Sequence, residues 1–528
     1  MNKKISWILV VVTLGIIVGI GFTKLGNNEL YPQDNIRAEL DRFVEVFAYV
    51  KRFYVEPVDS DKLITGAIEG LLGKLDPHSV YIPKKSLERA TEQFEGSFEG
   101  IGIEFIVQNK VLTVVSPIPG GPSEAVGLMP GDQIIRIDDK SAYGITEEEV
   151  FKKLRGPKGS KVKLGISRAT LQEPFDVVII RDKIPINSIY AAFMLDDGVT
   201  GYIWLARFAK TTSDELDRAL KDLQHQGMKQ LVFDLRSNSG GLLEQAVEVA
   251  DRFIPAGHKL VYTRGRVKAT DDDFYSSNGN DLPMIPMIVM ISHGSASASE
   301  IVAGAVQDLD RGLVVGQRSF GKGLVQNQIG LKDGSGLRLT VARYYTPSGR
   351  LIQRSYDAGL ADYYSEAYSD DEEKPPQDST RQIFKTRSGR LVYGGGGITP
   401  DSTLKAEQVS RFTNELFAKR IFFELGAKYA ASLRGKYSQY QTFRRDYQVD
   451  DALAGDLQEL LKKNKMEFSE EAFKRDEAFI RGIVKAEVAR NLWDSAHYYR
   501  MLRQEDRELK DALPLLPRAA EILTQGGW

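Results

Sequence analysis

Cysteine is absent from the 528 residues of this chain, and histidine occurs only five times. The lack of cysteine excludes disulfide bonds, a thiol nucleophile and zinc–thiolate centres. The histidines show no pair at the spacing of metal ligands, so we expect no metal site. If the chain is an enzyme, only these five histidines are available as a histidine general base.

A charge excess of either sign is absent as well. The 70 basic residues nearly balance the 72 acidic ones, and the formal net charge is -2 at pH 7. A basic excess is typical of nucleic-acid-binding proteins, so we expect no nucleic-acid partner. Hydrophobic residues make up 42% of the chain, which is enough for several cores, and its length indicates about three domains.

The N-terminus holds one long apolar run. Lys3 and Lys4 precede the eighteen uncharged residues Ile5–Phe22, close to the roughly 20 that span a bilayer. No Ala-x-Ala cleavage signal follows, which favours a signal anchor over a cleaved signal peptide in residues 1–24. Lysines before the run keep the N-terminus inside. We therefore expect the chain at the periplasmic face of a bacterial inner membrane, or in the periplasm if the segment is cleaved.

Hydrophobic patterning divides the remainder into four regions. Residues 33–93 contain apolar residues at helical spacing, which predicts an N-terminal helical region. Residues 95–183 read strand, strand, helix, strand, helix, strand. From 184 to 401 apolar strands alternate with amphipathic helices, which indicates a layered α/β domain. Residues 402–528 are charged and helix-prone, and no motif in them indicates a function.

The second of these regions resembles a PDZ domain. In that family a glycine-rich loop points backbone N–H groups at the terminal carboxylate of a peptide, and the peptide adds to the sheet as a strand. The resemblance implies that this loop is formed by Gly100, Ile101, Gly102 and Ile103. Taken alone, "GIGI" is equally typical of a glycine-rich entry into a hairpin.

The stretch "GSASASEIVAGAVQD" places three serines, Ser295, Ser297 and Ser299, between an apolar strand and a helix. A nucleophile at Ser297 would lie at the helix N-terminus, where unpaired N–H groups point outward. The N–H of Ala298 is then one oxyanion donor, and a second comes from the glycines of "SNSGG", residues 237–241. A small-residue helix entry with a serine cap explains the same pattern without chemistry.

The base for such a serine is either a lysine or a histidine. Lys322 lies between glycines and apolar residues in "SFGKGLVQ", with no carboxylate nearby in the sequence. Burial there would lower its pKa far enough for it to act as a base, and the amide of Gln326 would hold its nitrogen. His293, four residues before Ser297, is the alternative for a Ser–His arrangement. A solvated loop lysine is a third possibility.

The combination of these motifs with "DLRSNSGG" and the PDZ-like region closely resembles the C-terminal processing (tail-specific) serine peptidases, from about residue 33 to 401. The resemblance implies a role for five residues: the nucleophile Ser297, the general base Lys322, its orienting partner Gln326, and the oxyanion donors Gly241 and Ala298. Ser239 stands where that family often has proline or glycine, so the choice between Gly240 and Gly241 stays open.

The same resemblance implies an α/β fold: a serine protease core of the crotonase or Clp-protease type with an inserted PDZ domain and helical N- and C-terminal regions. It implies an exported endopeptidase that captures unfolded or flexible C-terminal ends of exported proteins, without a metal or cofactor, and a homodimer. Two rival functions stay open: a catalytically inactive PDZ scaffold, and a Ser–His hydrolase that uses His293.

Arg155, at the end of the second helix of the PDZ-like region, has two interpretations. A basic residue at a helix C-terminus interacts favourably with the helix dipole, by about 0.3–1 kcal/mol. Alternatively, Arg155 contacts the protease core when a peptide fills the groove and favours the competent arrangement of Lys322 and Gln326. The second interpretation makes Arg155 a regulatory residue.

Overall fold

The computed structural model describes residues 36–168, 171–277, 282–368 and 381–528. The chain forms two compact units, Met1–Leu75 and Asp76–Trp528. The signal anchor predicted for residues 1–24 lies outside the described residues. Among the helices that are described, none is both long enough and apolar enough to cross a bilayer.

Within residues 36–75, the described part of the first unit, the chain forms the helices α1 (Ile36–Phe53) and α2 (Ser60–Leu72). The carboxylate of Asp59 caps α2 by accepting the N–H groups of its first turn. α1 has the predicted apolar residues at helical spacing, yet none of its side chains is buried. Phe43 and Phe53 are 45% and 66% exposed, so this helix presents apolar side chains to solvent.

The second unit begins with a connecting segment and continues into the PDZ region. The segment holds β1 (Val80–Ile82) and α3 (Lys84–Glu95). The PDZ elements are β2 (Ser97–Gly100), β3 (Ile103–Gln108), β4 (Val111–Pro117), α4 (Pro122–Ala125), β5 (Gln133–Ile137), β6 (Lys140–Ser141), α5 (Glu147–Leu154), β7 (Lys161–Ser167), β8 (Phe175–Ile180) and β9 (Asp182–Pro185).

The PDZ sheet has the strand order β3-β4-β5-β7-β8, with β6 beside β5, while β2 pairs with β9. Asn109 and Lys110 make the turn between β3 and β4 with positive φ angles of 51° and 68°, as expected for a two-residue hairpin loop. Because β3 is at one end of this order, its outer edge is open to an added strand.

The protease region follows as alternating strands and helices. Its elements are β10 (Ile189–Met194), β11 (Thr200–Leu205), α6 (Thr212–His225), β12 (Gln230–Asp234), α7 (Leu243–Asp251), β13 (Lys259–Gly265), β14 (Asp272–Tyr275), β15 (Met287–Ile291), α8 (Ala298–Asp308), β16 (Leu313–Gly316), β17 (Leu324–Gly330), β18 (Gly336–Tyr345), α9 (Leu360–Ala367), β19 (Ile383–Lys385), β20 (Leu391–Tyr393) and β21 (Ser402–Thr403). The predicted alternation of strands and helices in an α/β core is confirmed.

Two sheets organise this core. The first has the order β10-β11-β12-β15-β16-β21 and is parallel from β11 to β21. The second has the order β1-β18-β13-β14, with β17 also paired to β18. Alternate residues of β12 enter different cores: Phe233 packs with α6, α7 and α8, and Val232 packs on the opposite face. Both faces of the parallel sheet are therefore covered, as such sheets require.

The C-terminal region is helical, as predicted. Its helices are α10 (Arg411–Ala418), α11 (Ile421–Leu433), α12 (Tyr440–Asp446), α13 (Leu453–Lys463), α14 (Glu470–Leu492), α15 (Ser495–Gln504), α16 (Arg507–Ala512) and α17 (Leu516–Gln525). Phe423 of α11 packs against Ile106 and Val115 of the PDZ sheet. Leu509 of α16 and Ile522 of α17 belong to the cluster beneath the parallel sheet. This region thus contacts both the PDZ domain and the protease core.

Candidate active site

The candidate site lies at one edge of the parallel sheet. The neighbouring strands β12, β15 and β16 run in the same direction, so their carboxyl ends meet at that edge. The loops that follow them hold the "SNSGG", "SASAS" and "GKG" motifs. Ligand sites of α/β sheets form at such carboxyl edges. A cavity of about 920 Å³ opens there and is lined by Ser297, Lys322 and Gln326, among other residues.

The three alternating serines have different environments. Ser295 and Ser299 are fully buried. Ser295 Oγ donates to the carbonyl of Leu235 at 2.8 Å, and Ser299 Oγ donates to the carbonyl of Asn238 at 2.8 Å. Ser297 is partly exposed and lines the cavity. Two of the serines therefore hold loops together, and Ser297 is the one that faces the cavity.

Ser297 is the N-cap residue of α8 and has an unusual backbone conformation, with φ 54° and ψ -113°. Non-glycine residues seldom adopt positive φ, and such strain recurs at functional sites. The N–H of Ser297 donates to Glu300 Oε2 at 2.8 Å. This hydrogen bond and the small neighbours Ala296 and Ala298 stabilise the sharp turn from β15 into the helix.

Two backbone N–H groups near Ser297 make no hydrogen bond to any described residue: those of Gly241 and Ala298. The N–H of Gly240, by contrast, donates to Asn238 Oδ1 at 2.9 Å. A Cβ atom added to Gly240 would lie 2.9 Å from Ser297 Cβ and 3.0 Å from the nitrogen of Ala298. The glycine loop therefore approaches the serine closely because Gly240 has no side chain.

Lys322 is held in a largely buried environment. Its Nζ donates to Gln326 Oε1 at 2.8 Å, and Gln326 Nε2 donates to the carbonyl of His78. Burial lowers the pKa of Lys322 to about 8, Arg338 lowers it as well, and Glu300 and Asp76 oppose the shift. With this pKa, about a tenth of the lysine is unprotonated at pH 7, and about half at pH 8. The lysine–glutamine contact expected from the sequence is present.

Glu300 is a residue of the site that the sequence reasoning missed. It is fully buried on α8. Its Oε1 accepts hydrogen bonds from Ser319 Oγ at 2.6 Å and from the N–H of Gly321 at 2.7 Å, and its Oε2 accepts the N–H groups of Ser297 and Lys322. Burial raises the pKa of Glu300 and these donors oppose the rise. The available signal was "SASE", which is a capping-box sequence.

Two tyrosines contribute to the site, one between the serine and lysine loops and the other beside His78. The hydroxyl of Tyr344 lies 2.6 Å from the carbonyl of Lys322 and 3.1 Å from that of Ser297. The ring of His78 lies 2.8 Å from the hydroxyl of Tyr363. Burial and, next, the charge of Lys322 lower the pKa of His78 to about 4, so His78 is neutral at neutral pH. Neither tyrosine was recognised as part of the site from the sequence.

His293, the alternative base, lies in the loop after β15. Across the described part of the chain, no histidine lines the cavity that holds Ser297. The same residues contain no group of three or more histidine, aspartate or glutamate side chains placed to hold a metal ion. Lys322 lines the serine's cavity together with its glutamine partner, which makes it the candidate base.

The predicted carboxylate loop of the PDZ domain joins β2 to β3. Gly100 ends β2, Ile101 is buried in the PDZ core, Gly102 has φ 75°, and Ile103 begins β3. The N–H groups of Ile101 and Gly102 have no acceptor within the described ranges. Nearby, the ring of Phe105 on β3 meets that of Phe151 on α5 in an edge contact, with centroids 5.2 Å apart.

Arg155 lies between the PDZ domain and the connecting segment. It forms an ion pair with Glu92 of α3. Its guanidinium also lies over the rings of Phe98 and Phe151, 4.8 and 4.9 Å from their centroids. These partners belong to α3 and to the PDZ region, and none of them lines the cavity that holds Lys322. The regulatory role of Arg155 stays a prediction.

Four family profiles match the chain, and each covers a different part of it. Peptidase family S41 matches residues 199–361, and the PDZ domain matches residues 90–167. The N-terminal domain of the activating protease CtpB matches residues 23–86. A family of unknown function matches residues 412–494.

The matches to two curated relatives extend over most of each relative's length. A carboxy-terminal-processing protease of Bartonella bacilliformis is 41% identical over 331 residues, which are 62% of this chain and 74% of the relative. The carboxy-terminal processing protease CtpA of Bacillus subtilis is 32% identical over 420 residues, which are 78% of this chain and 89% of the relative.

Two solved structures are also similar to this chain in sequence, each with a low overall superposition. The photosystem II D1 C-terminal processing protease is 27% identical, with a TM-score of 0.35, over 70% of this chain and 93% of that one. The PDZ domain of a carboxy-terminal protease from Vibrio cholerae, solved with a peptide, is 34% identical, with a TM-score of 0.16, over 17% of this chain and 97% of that one.

Proposed function

Because the chain belongs to peptidase family S41, as a carboxy-terminal processing protease with a PDZ domain, we propose that it is a serine endopeptidase with a Ser297–Lys322 dyad. The observation that carries the proposal is the shared cavity: Ser297 lines it together with Lys322, whose pKa is lowered to about 8. A neutral amine beside a serine hydroxyl is the combination that nucleophilic attack needs.

In the proposed reaction, the unprotonated Nζ of Lys322 accepts the hydroxyl proton of Ser297 as Oγ attacks the scissile carbonyl. The N–H groups of Gly241 and Ala298, which have no acceptor among the described residues, stabilise the oxyanion. The ammonium of Lys322 then protonates the leaving amine as the C–N bond breaks. Water, deprotonated by the same lysine, hydrolyses the acyl-enzyme and restores the serine. Gln326 holds Nζ throughout without adding charge.

The rival functions have less support. A Ser–His hydrolase would need His293 in the cavity, and in the described chain the cavity is lined by no histidine. An inactive scaffold would have no reason to keep Ser297 at positive φ or a buried lysine of lowered pKa. Both features are typical of a working catalytic site.

For substrate capture, we propose that the PDZ domain binds the C-terminal end of an unfolded or flexible protein. The loop Gly100–Ile103 has N–H groups to receive the terminal carboxylate, and β3 has an open edge on which the peptide adds as a strand. The terminus is bound there while a segment further back in the chain enters the cavity.

The cellular setting is a proposal from the sequence. Lys3, Lys4 and the apolar run Ile5–Phe22 would export the chain and tether it to the inner membrane, or release it into the periplasm after cleavage. A homodimer is proposed as well, because α1 exposes apolar residues such as Phe43 and Phe53.

The function can be tested with an unfolded protein substrate carrying either a free or an amidated C-terminal carboxylate, with product masses measured over time. We expect internal cleavage, faster for the free terminus, and none with Ser297→Ala. Equal rates for both termini would contradict carboxylate capture but leave the dyad standing. Full activity of Ser297→Ala would contradict the dyad itself.

A further inference from the structure

Two acidic residues near the C-terminus reach the edge of the sheet where the candidate site lies. Asp506 precedes α16 and Glu508 lies in its first turn. Both are outside residues 199–361, which match the peptidase family. They are also outside residues 412–494, which match the family of unknown function. Their side chains are 11% and 12% exposed. Both carboxylates contact Arg236, which follows β12.

Arg236 is surrounded by carboxylates in a buried environment, with its side chain 7% exposed. Its Nη2 donates to Asp234 Oδ2 at 2.6 Å and to Asp506 Oδ2 at 2.8 Å. Its Nη1 donates to Asp506 Oδ1 and to Glu508 Oε2, both at 3.1 Å. Such bidentate, charge-assisted contacts fix both the position and the plane of the guanidinium.

The backbone of Arg236 leads directly into the glycine loop. Two residues later, the carbonyl of Asn238 accepts the N–H of Ala296 at 3.0 Å and the hydroxyl of Ser299 at 2.8 Å. Asn238 Oδ1 accepts the N–H of Gly240. A shift of Arg236 would therefore move the loop that carries the N–H of Gly241 and would disturb the turn that carries Ser297.

Glu508 also reaches the loop that carries the lysine. Its Oε2 accepts a hydrogen bond from Gln317 Nε2 at 3.4 Å. Gln317 directly follows β16 and lies five residues before Lys322. The carboxylate of Glu508 thus contacts Arg236, at the start of the glycine loop, and Gln317, at the start of the lysine loop.

The position of α16 is itself fixed by apolar packing. Leu509 and Ala512 of α16, with Leu516 and Ile522 of α17, are buried against the lower face of the parallel sheet. Asp506 caps α16 by accepting the N–H of Leu509 at 2.9 Å, and it also accepts a hydrogen bond from Arg503 at 2.8 Å. The two carboxylates are therefore held rigidly at the carboxyl edge of the sheet.

We propose that Asp506 and Glu508 are positioning residues of the protease, which hold Arg236 and the first part of the lysine loop so that the oxyanion donors and the dyad stay in register. The inference rests on the active site proposed above. It assigns the last helices of the chain to the catalytic unit, although the sequence of that region indicates no function.

The competing explanation is that these contacts contribute stability alone. A buried ion cluster is weak support for stability, because desolvation of the charges offsets their attraction. The two explanations differ in what a conservative change does to a protein that stays folded. A structural role lowers the midpoint of thermal unfolding, whereas a positioning role lowers kcat at temperatures where the variant is fully folded.

The test is Asp506→Asn in the full chain. Asparagine is a good N-cap and keeps an oxygen for the N–H of Leu509, but its amide N–H₂ meets the donors of Arg236 and Arg503. We expect kcat to fall about 10- to 100-fold with KM unchanged, the effect of slightly misplaced catalytic groups. Glu508→Gln should act in the same direction, and the double variant should lose less than the sum because both residues hold one arginine.

The matched control is Asp494→Asn. Asp494 is the N-cap of α15 and contacts His497, not Arg236. It should lower the unfolding midpoint by a similar amount and leave kcat unchanged. A folded Asp506→Asn protein with wild-type kcat, or an equal loss of kcat in Asp494→Asn, would overturn the inference. The proposed function fails separately, if Ser297→Ala or Lys322→Ala retains activity.

Discussion

Ser297 and Lys322 donate their backbone N–H groups to the same carboxylate oxygen, Glu300 Oε2, at 2.8 and 2.9 Å. The proposed nucleophile and base are thus held to one atom, although they are 25 residues apart (322 minus 297). These main-chain hydrogen bonds fix the serine loop relative to the lysine loop. They do not involve the side chains of Ser297 and Lys322.

Replacing Glu300 with glutamine should therefore inactivate the enzyme. The amide N–H₂ would face backbone donors in a buried site, at a cost of about 1–3 kcal/mol for each unpaired group. We expect kcat to fall at least tenfold and the unfolding midpoint to drop, measured by peptide hydrolysis and calorimetry. Glu415→Gln, in an exposed pair with Arg411, is the control and should change neither. A fully active Glu300→Gln protein would remove Glu300 from the site.

Alanine substitutions of the three serines should affect activity and stability differently. Ser297→Ala should abolish hydrolysis of a casein-like substrate without loss of stability. Ser295→Ala and Ser299→Ala each remove a buried hydrogen bond and should cost about 1–3 kcal/mol in the free energy of unfolding, while the folded fraction stays active. Activity assays and urea titrations on the three variants decide. If Ser295→Ala were inactive at unchanged stability, the nucleophile would be misassigned.

Lys322→Arg should be as inactive as Lys322→Ala. Arginine retains the charge and much of the length, but its pKa above about 12 prevents it from accepting a proton. A lost general base lowers kcat by about 10²- to 10⁴-fold. Lys332→Arg, in the exposed turn before β18, is the control. Activity of the Lys322→Arg enzyme would mean that Lys322 binds substrate charge, and loss of activity in His293→Ala would restore the triad.

Activity should rise with pH and respond to Arg338. Because the proposed base is the unprotonated lysine, kcat/KM should increase as the pH passes through about 8, the pKa of Lys322. Arg338 lowers that pKa, so Arg338→Gln should move the rise to higher pH and reduce activity at pH 7. Arg343→Gln, on the same strand but outside the cavity lining, should leave the pH profile of kcat/KM unchanged. An unmoved profile in Arg338→Gln would exclude this electrostatic role.

Arg155→Ala should slow the cleavage of protein tails more than that of short blocked peptides. Arg155 joins the PDZ domain to α3, and the same segment carries His78, whose carbonyl holds Gln326. Loosening this connection should weaken the response of the dyad to an occupied groove. Lys152→Ala, an exposed basic residue of α5, is the control. Unchanged rates on both substrates would leave Arg155 a purely structural residue.

The sequence predicted the parts of the site that lie within short motifs. Ser297, Lys322 and Gln326 were proposed because the motifs that hold them fall within about thirty consecutive residues and together resemble those of a known family. The lysine–glutamine contact was expected if Gly321 and Gly323 fold the chain back, and it is present. The PDZ order and the α/β alternation were predictable because local patterns report local structure.

Residues that act across long sequence separations were missed. Tyr344 and Arg338 reach the cavity because β18 pairs with β17, and no local pattern predicts that pairing. Asp506 contacts Arg236 although it lies 270 positions further along the chain. Glu300 belongs to a capping-box sequence that local patterns can identify. Its hydrogen bond to Lys322, however, depends on the loop that follows β16.

The positive φ of Ser297 sets stability against activity at one position. A serine in this conformation is strained by about 1–3 kcal/mol, and glycine would adopt it freely. The substitution that best relaxes the turn, Ser297→Gly, is thus one that deletes the proposed nucleophile. Under selection for folding alone, glycine would replace serine at position 297. Retention of the hydroxyl therefore requires selection for peptide-bond cleavage.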